Sequence, residues 1–176
     1  ANPYKFGVIG STDAHTGLAS ADEDNFWGKS LKGEPSAKRI FNERAVFNYQ
    51  MNASGYAGIW AHENTRESIF EALLRKETYA TTGPRMIVRA FGGYNFTEED
   101  LASEEFVALG YRKGVPMGGD LVAQGDLPPS FLLMATKDPL GANLDRIQIV
   151  KGWLGKGKRR EKVYDAVFDQ NRKIDG

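Results

Sequence analysis

Asp13 and His15, a carboxylate and an imidazole two positions apart, are the residues of this chain whose types and spacing best suit a divalent cation. They follow Phe6-Gly7-Val8-Ile9-Gly10-Ser11-Thr12, an apolar run that breaks at small residues. Small residues permit close backbone packing at a strand end, and a two-residue offset aims both side chains into one space. First-row metals accept both ligand types. The competing reading is structural: the pair stabilises the loop after the first strand. The only other histidine is His62, so a metal centre containing Asp13 and His15 needs ligands from elsewhere. The sequence is therefore expected to be the C-terminal part of a larger enzyme.

Four further residues are candidates for a substrate pocket: His62, Glu63, Arg66 and Arg85. His62 follows a predicted strand and could face the same rim as Asp13 and His15, although starting a helix or packing beside Trp60 explains it as well. Capping and surface pairing explain Glu63 and Arg66. Thr81, Thr82 and Gly83 with Arg85 could form an anion-binding turn, since hydroxyls, free amides and a guanidinium suit phosphate; a tight joining turn is the simpler account. Gly118-Gly119 lacks the spacing and the Lys-Ser/Thr of a phosphate loop and reads as a turn. From Lys151 to Lys162 six basic residues meet one acid beside Trp153. Basic residues interleaved with an aromatic can bind single-stranded nucleic acid, but Gly152, Gly155 and Gly157 make this stretch read as a solvated loop.

The elements that must position these groups begin with a buried strand over residues 4–10 and a polar loop over 16–33. Pro35, Ile40, Phe41, Phe47 and Met51 recur at helical offsets up to Gly55. Residues 56–61 read as a second buried strand, and Asn64 with Glu67 has capping-box spacing. The helix that follows, over 65–77, presents Ile69, Phe70, Leu73 and Leu74 on one face, with Glu71 and Arg75 spaced for an ion pair. Strand, helix, strand, helix is the rhythm of an α/β unit with parallel strands.

After Tyr79-Ala80-Thr81-Thr82-Gly83-Pro84 the texture changes. Strands are expected over 86–91, 131–136, 147–150 and 163–168, separated by turn signals at Gly92-Gly93, Gly118-Gly119-Asp120, Pro128-Pro129 and Asp138-Pro139-Leu140-Gly141. A helix is expected over 97–109 with Thr97 as N-cap. The predicted class is α+β: residues 1–84 as the last βα units of an incomplete barrel, and residues 85–176 as a mostly β, sandwich-like accessory module.

Composition narrows the partners. With 176 residues and 41% hydrophobic content the chain can bury a core, and 23 basic residues balance 23 acidic ones. No global field recruits nucleic acid or an anionic membrane, so neither is an expected partner. No apolar run approaches the roughly 20 residues of a membrane-spanning helix. The absence of cysteine removes disulfides and thiolate chemistry. The start at Ala1-Asn2-Pro3, without methionine, suggests a processed or shortened product. If so, a strand edge and an apolar helix face are left exposed and self-association into a homo-oligomer is expected.

Gly10-Ser11-Thr12-Asp13-Ala14-His15 resembles the last metal-binding motif of the polymerase-and-histidinol-phosphatase (PHP) superfamily of metal-dependent hydrolases. Asn2-Pro3-Tyr4-Lys5-Phe6-Gly7, Glu63-Asn64-Thr65-Arg66-Glu67, Tyr79-Ala80-Thr81-Thr82-Gly83-Pro84-Arg85, Val115-Pro116-Met117-Gly118-Gly119-Asp120-Leu121 and residues 145–153 extend the likeness. Together they resemble the bacterial family labelled domain of unknown function 3604, which is similar to carbaryl-hydrolase-like metallohydrolases.

The resemblance implies that Asp13 and His15 complete a multinuclear centre of divalent ions (Mn, Zn or Fe), whose remaining ligands, including an early His-x-His, lie N-terminal to Ala1. It also implies a PHP-like (β/α) barrel, a small-molecule substrate, the missing N-terminal part as a partner, and an exported or periplasmic setting. The expected function is thus a segment of a hydrolase that acts through metal-activated water on phosphoesters, esters or carbamates, inactive or metal-free by itself. The alternative is a non-catalytic accessory or interaction module.

Overall fold

The computed structural model describes residues 7–15 and 55–168. The loop expected over 16–33 and the helix expected between Pro35 and Gly55 lie outside the described residues, as do residues 4–6 of the first strand. Among the described residues the chain is α+β and mostly strand, with every paired strand antiparallel.

The first unit is β1 (Ala57–Ile59), α1 (Arg66–Arg75) and β2 (Thr78–Ala80). β1 and β2 pair antiparallel, Ala57 with Ala80 and Ile59 with Thr78. The parallel strands expected were residues 4–10 and 56–61; β1 instead pairs with β2, a strand not expected from the sequence, and the reason is local. Lys76 ends α1 in the left-handed region (φ 61°) and its N–H returns to the carbonyls of Ala72 and Leu73. Only Glu77 then separates the cap from β2, and the Trp60 N–H donates to the Glu77 carbonyl. The chain thus re-enters beside the end of β1 that it had just left and runs back along it, so β2 is antiparallel although the connection over 60–77, helix included, is long enough for a parallel crossover.

The N-cap of α1 is Thr65, one residue later than the predicted Asn64. Its hydroxyl accepts from the Ser68 N–H, and the Ser68 hydroxyl accepts from the Glu63 N–H at 3.1 Å. The predicted apolar stripe is not the buried side: Phe70 and Leu74 are 60% and 65% exposed, while Ala72 is fully buried.

The second unit is a three-stranded sheet in the order β4–β3–β5, formed by β3 (Ile87–Gly93), β4 (Gly114–Pro116) and β5 (Ser130–Thr136). Between β3 and β4 run α2 (Glu98–Leu101) and α3 (Phe106–Lys113), so the single helix expected over 97–109 is divided at Ala102. Thr97 is the N-cap, as predicted, in a capping box with Asp100. β3 alternates, with Arg89, Phe91 and Gly93 buried. Phe91 and its cross-strand partner Leu132 form the centre of the core, and the ring of Phe91 meets Phe106 and Tyr111 edge-on at 6.1 and 5.2 Å between centroids. Helix α3 covers this face, which corrects the sandwich expectation: a helix supplies the second layer where another sheet was expected.

The third unit is the hairpin of β6 (Arg146–Gly155) and β7 (Lys158–Phe168), all of β7 exposed. The solvated loop expected around Gly152, Gly155 and Gly157 is instead continuous strand closed by a two-residue turn. Lys156 and Gly157 both take positive φ, 53° and 74°, and two successive left-handed residues match the twist of the flanking strands.

Two carboxylates make this fold acid-sensitive. Asp100 accepts from Lys113 Nζ at 2.7 Å and from the Thr97 N–H, and the Lys113 bond is the main cause that holds its pKa below the usual range. Asp138 is lowered by the N–H groups of Arg85, first, and Leu140. A depressed folded pKa adds stability that is present above the unfolded pKa and is lost as pH falls through the folded one. Thermal melts should therefore show stability declining below about pH 4, with Asp100→Asn less acid-sensitive than the parent. Equal acid sensitivity in the two proteins would refute the assignment.

Candidate metal site and the network beside it

Residues 7–11 run alongside β2 in the same direction. A Cβ on Gly7 would lie 2.7 Å from Lys76 Cγ, the Thr78 hydroxyl donates to the Val8 carbonyl at 3.4 Å, and a Cβ on Gly10 would lie 2.6 Å from Ala80 Cβ. The close approach at Gly10 is why a small residue stands there. The segment is not the buried strand expected from its apolar run: residues 7–10 carry no strand pairing and Val8 is 83% exposed.

Beyond Ser11 the chain bends. Thr12 Oγ1 accepts from the Ala14 N–H at 3.2 Å, and Asp13 adopts φ 50°, a left-handed conformation that aspartate tolerates better than most residues. The bend brings Asp13 Oδ1 to 3.4 Å from His15 Nε2, with the two side chains 72% and 64% exposed. An oxygen and a nitrogen donor thus share one exposed space. Ligands at roughly 2.0–2.2 Å around a tetrahedral ion are separated by about 3.4 Å, so the pair fits two corners of such a sphere. No group of three or more metal-ligating side chains occurs among the described residues.

The four pocket candidates divide between the two ends of the β1–β2 pair. The Ser11 carbonyl would lie 3.0 Å from a Cβ on Gly55, and the next residue, Tyr56, exchanges hydrogen bonds with Thr81. Arg85 places its guanidinium 5.4 Å from the Tyr56 ring, while its N–H donates to Asp138. Arg85 therefore belongs to the end from which Asp13 and His15 continue. His62, Glu63 and Arg66 follow the opposite end of β1, exposed around the start of α1. The structure brings Asp13 and His15 together and sets three of the four pocket candidates apart from them.

A buried network was missed by sequence reasoning. Glu77 is 3% exposed; its carboxylate accepts from Arg75 Nε at 2.7 Å and from the Tyr111 hydroxyl. Arg89 Nη2 donates to the Tyr111 oxygen at 2.8 Å, and its guanidinium lies 4.0 Å over the Trp60 ring. Trp60 Nε1 donates in turn to the Val88 carbonyl. Burial first, and then the bond to Glu77, hold the Tyr111 phenol proton on more tightly than usual; the Glu77 bond likewise raises Arg75. No buried polar side-chain atom among the described residues lacks a partner. The network ties the start of β2 to β3 and α3 through Glu77, Tyr111 and Arg89. The only signal in the sequence was charge itself, clearest at Arg89 between Val88 and Ala90, and charge does not name its partner.

No curated protein and no solved structure matches the chain. The match is at the level of a family: over residues 1–176 the chain belongs to the family described as protein of unknown function (DUF3604).

Proposed function

We propose that Asp13 and His15 are one corner of a divalent-metal centre of the PHP hydrolase type, its other ligands supplied from outside the described residues. The observation that carries this reading is the 3.4 Å Asp13–His15 couple, exposed at a left-handed bend. A bound Mn, Zn or Fe ion would lower the pKa of a water and polarise a phosphoryl or carbonyl oxygen of a phosphoester, ester or carbamate. Within this chain, Asp13 would hold an ion through Oδ1, and His15 would present Nε2 either as a ligand or as the group that orients the attacking water. Arg85, on the same side of the β1–β2 pair, is suited to an anionic part of the substrate, a role in which its planar fork is effective.

Calorimetry with manganese or zinc on a longer protein that carries the residues upstream of Ala1 tests this. Asp13→Ala and His15→Ala should each lose most of the binding heat while circular dichroism stays unchanged. Binding at parental strength in both variants would overturn the hydrolase reading. It would favour the accessory module, for which the exposed Phe70 and Leu74 on α1 and the exposed β6–β7 hairpin are the supporting observations.

A further inference from the structure

In an antiparallel pair, directly opposed residues share a face. In β6–β7 the register sets Lys151 opposite Lys162, then Trp153 opposite Arg160 and Gly155 opposite Lys158, with Ile149 opposite Tyr164 behind them. One face of the hairpin therefore carries four cations and two aromatic rings and no acid. The acids fall on the other face: Glu161 opposite Gly152, and Asp165 opposite Gln148, whose amide it accepts at 2.7 Å. Like charges directly opposed destabilise a hairpin. Lys151 and Lys162 lean instead over their own strands' aromatics, at 5.4 Å from Trp153 and 4.6 Å from Tyr164, and neither these four cations nor Lys156 and Arg159 form an ion pair among the described residues.

The complement lies in the same chain. From Thr97 to Glu105 there are five acidic residues and no basic one. Asp100 is occupied by Lys113, but Glu98, Glu99, Glu104 and Glu105 are exposed, and only Glu105 meets a cation, Arg112 at 3.6 Å. A chain with zero net charge has thus separated its charges into a basic sheet face and an acidic helix entry.

We propose that the basic face of β6–β7 docks on the acidic segment between Thr97 and Glu105 of a second copy of this chain. A two-fold arrangement lets each copy give one basic face and one acidic segment, the reciprocity that closed dimers use. Nucleic acid is the weaker occupant. The neutral chain gives it no steering field, and both aromatic faces that a base would stack on already carry a lysine.

Sedimentation velocity of the 176-residue chain at about 0.02 M and about 0.5 M salt tests this, because the screening length falls from roughly 20 Å to roughly 4 Å. A dimer at low salt that dissociates at high salt is expected; association driven by the apolar face of α1 would strengthen with salt instead and would overturn the proposal. Lys151→Glu replaces a like-charge pair by an opposite-charge one. It should raise the melting temperature yet weaken dimerisation about tenfold or more, a split that a purely structural role does not give. Lys151→Gln with Lys162→Gln, which keeps the hairpin free of new charge, should weaken the dimer in the same direction. Glu98→Lys with Glu99→Lys should do likewise, and a mixture of this variant with Lys151→Glu should recover a heterodimer. A parent that is monomeric at both salts, variants that dimerise normally, or a monomer that binds a fluorescent single-stranded oligonucleotide through this face would each refute it.

Discussion

Glu77→Ala should cost this fold about 3 kcal/mol, measured as a shift of the urea midpoint without a change in slope. The charge is 3% exposed and held by Arg75 and the Tyr111 hydroxyl. Removing one partner of a buried charged pair leaves the others uncompensated, which typically costs 3–5 kcal/mol. The lower end applies here because Arg75, with 39% of its side chain exposed, can turn to water. Arg89 cannot. It is 7% exposed beneath Trp60, Phe91 and Tyr111, and Glu77 is the carboxylate at the far side of its Tyr111 contact.

Glu77→Gln separates charge from shape. The two donors end on different oxygens of Glu77, so the one amide oxygen can accept from Arg75 or from Tyr111 but not from both, and the loss should be about 2 kcal/mol, the scale of one lost hydrogen bond to a charged group. A Glu77→Ala variant within about 0.5 kcal/mol of the parent would show that the network does not hold β2, since surface substitutions fall in that range. The consequence reaches the candidate metal site, because residues 7–11 run along β2 on the way to Asp13 and His15. In the longer protein Glu77→Ala should therefore weaken metal binding less than Asp13→Ala does, through position and not through ligation.

What the sequence revealed and what it hid divide along range of interaction. Thr97 as an N-cap, the ends of α1 within a residue or two, and β5 over Ser130–Thr136 were legible because capping and alternation act over a few residues. β2 as the partner of β1 was not. It depends on one left-handed residue at Lys76 and on the Trp60–Glu77 contact that returns the chain to the end of β1, and a rhythm of strand and helix carries no information about either. Glycines misled between Gly152 and Gly157. Only the pair Lys156-Gly157 turns the chain, while Gly152 and Gly155 sit within strand β6. For the candidate site, the residue types and spacing of Asp13 and His15 announced the couple, because two residues are as far as the bend extends. The separation of His62, Glu63 and Arg66 from it was hidden, because which end of a strand a residue follows depends on how that strand is paired.

Gly110→Ala should destabilise the chain by about 1–2 kcal/mol even though it improves a helix, and the sign is the informative part. In the interior of an exposed helix this change gains up to about 1 kcal/mol. Here a Cβ would overlap three ring carbons of Phe91. That ring is 1% exposed and is fixed by Phe106 and Tyr111 at its edges and by Leu132 across the strand pair, so it has nowhere to retreat. Overpacking a full core costs about 1–3 kcal/mol and outweighs the propensity gain. Phe91→Ala should cost more, about 3–5 kcal/mol, because it empties the centre of the sheet–helix layer. Combining Gly110→Ala with Phe91→Leu should be less damaging than the sum of the two changes, since the added methyl enters space the smaller side chain gives up; coupling between touching residues is commonly about 0.5–3 kcal/mol. Denaturation of the four proteins measures that coupling. If Gly110→Ala alone were stabilising by the full helical gain, α3 would not rest on Phe91, and the helix-on-sheet layer that replaces the expected sandwich would be wrong.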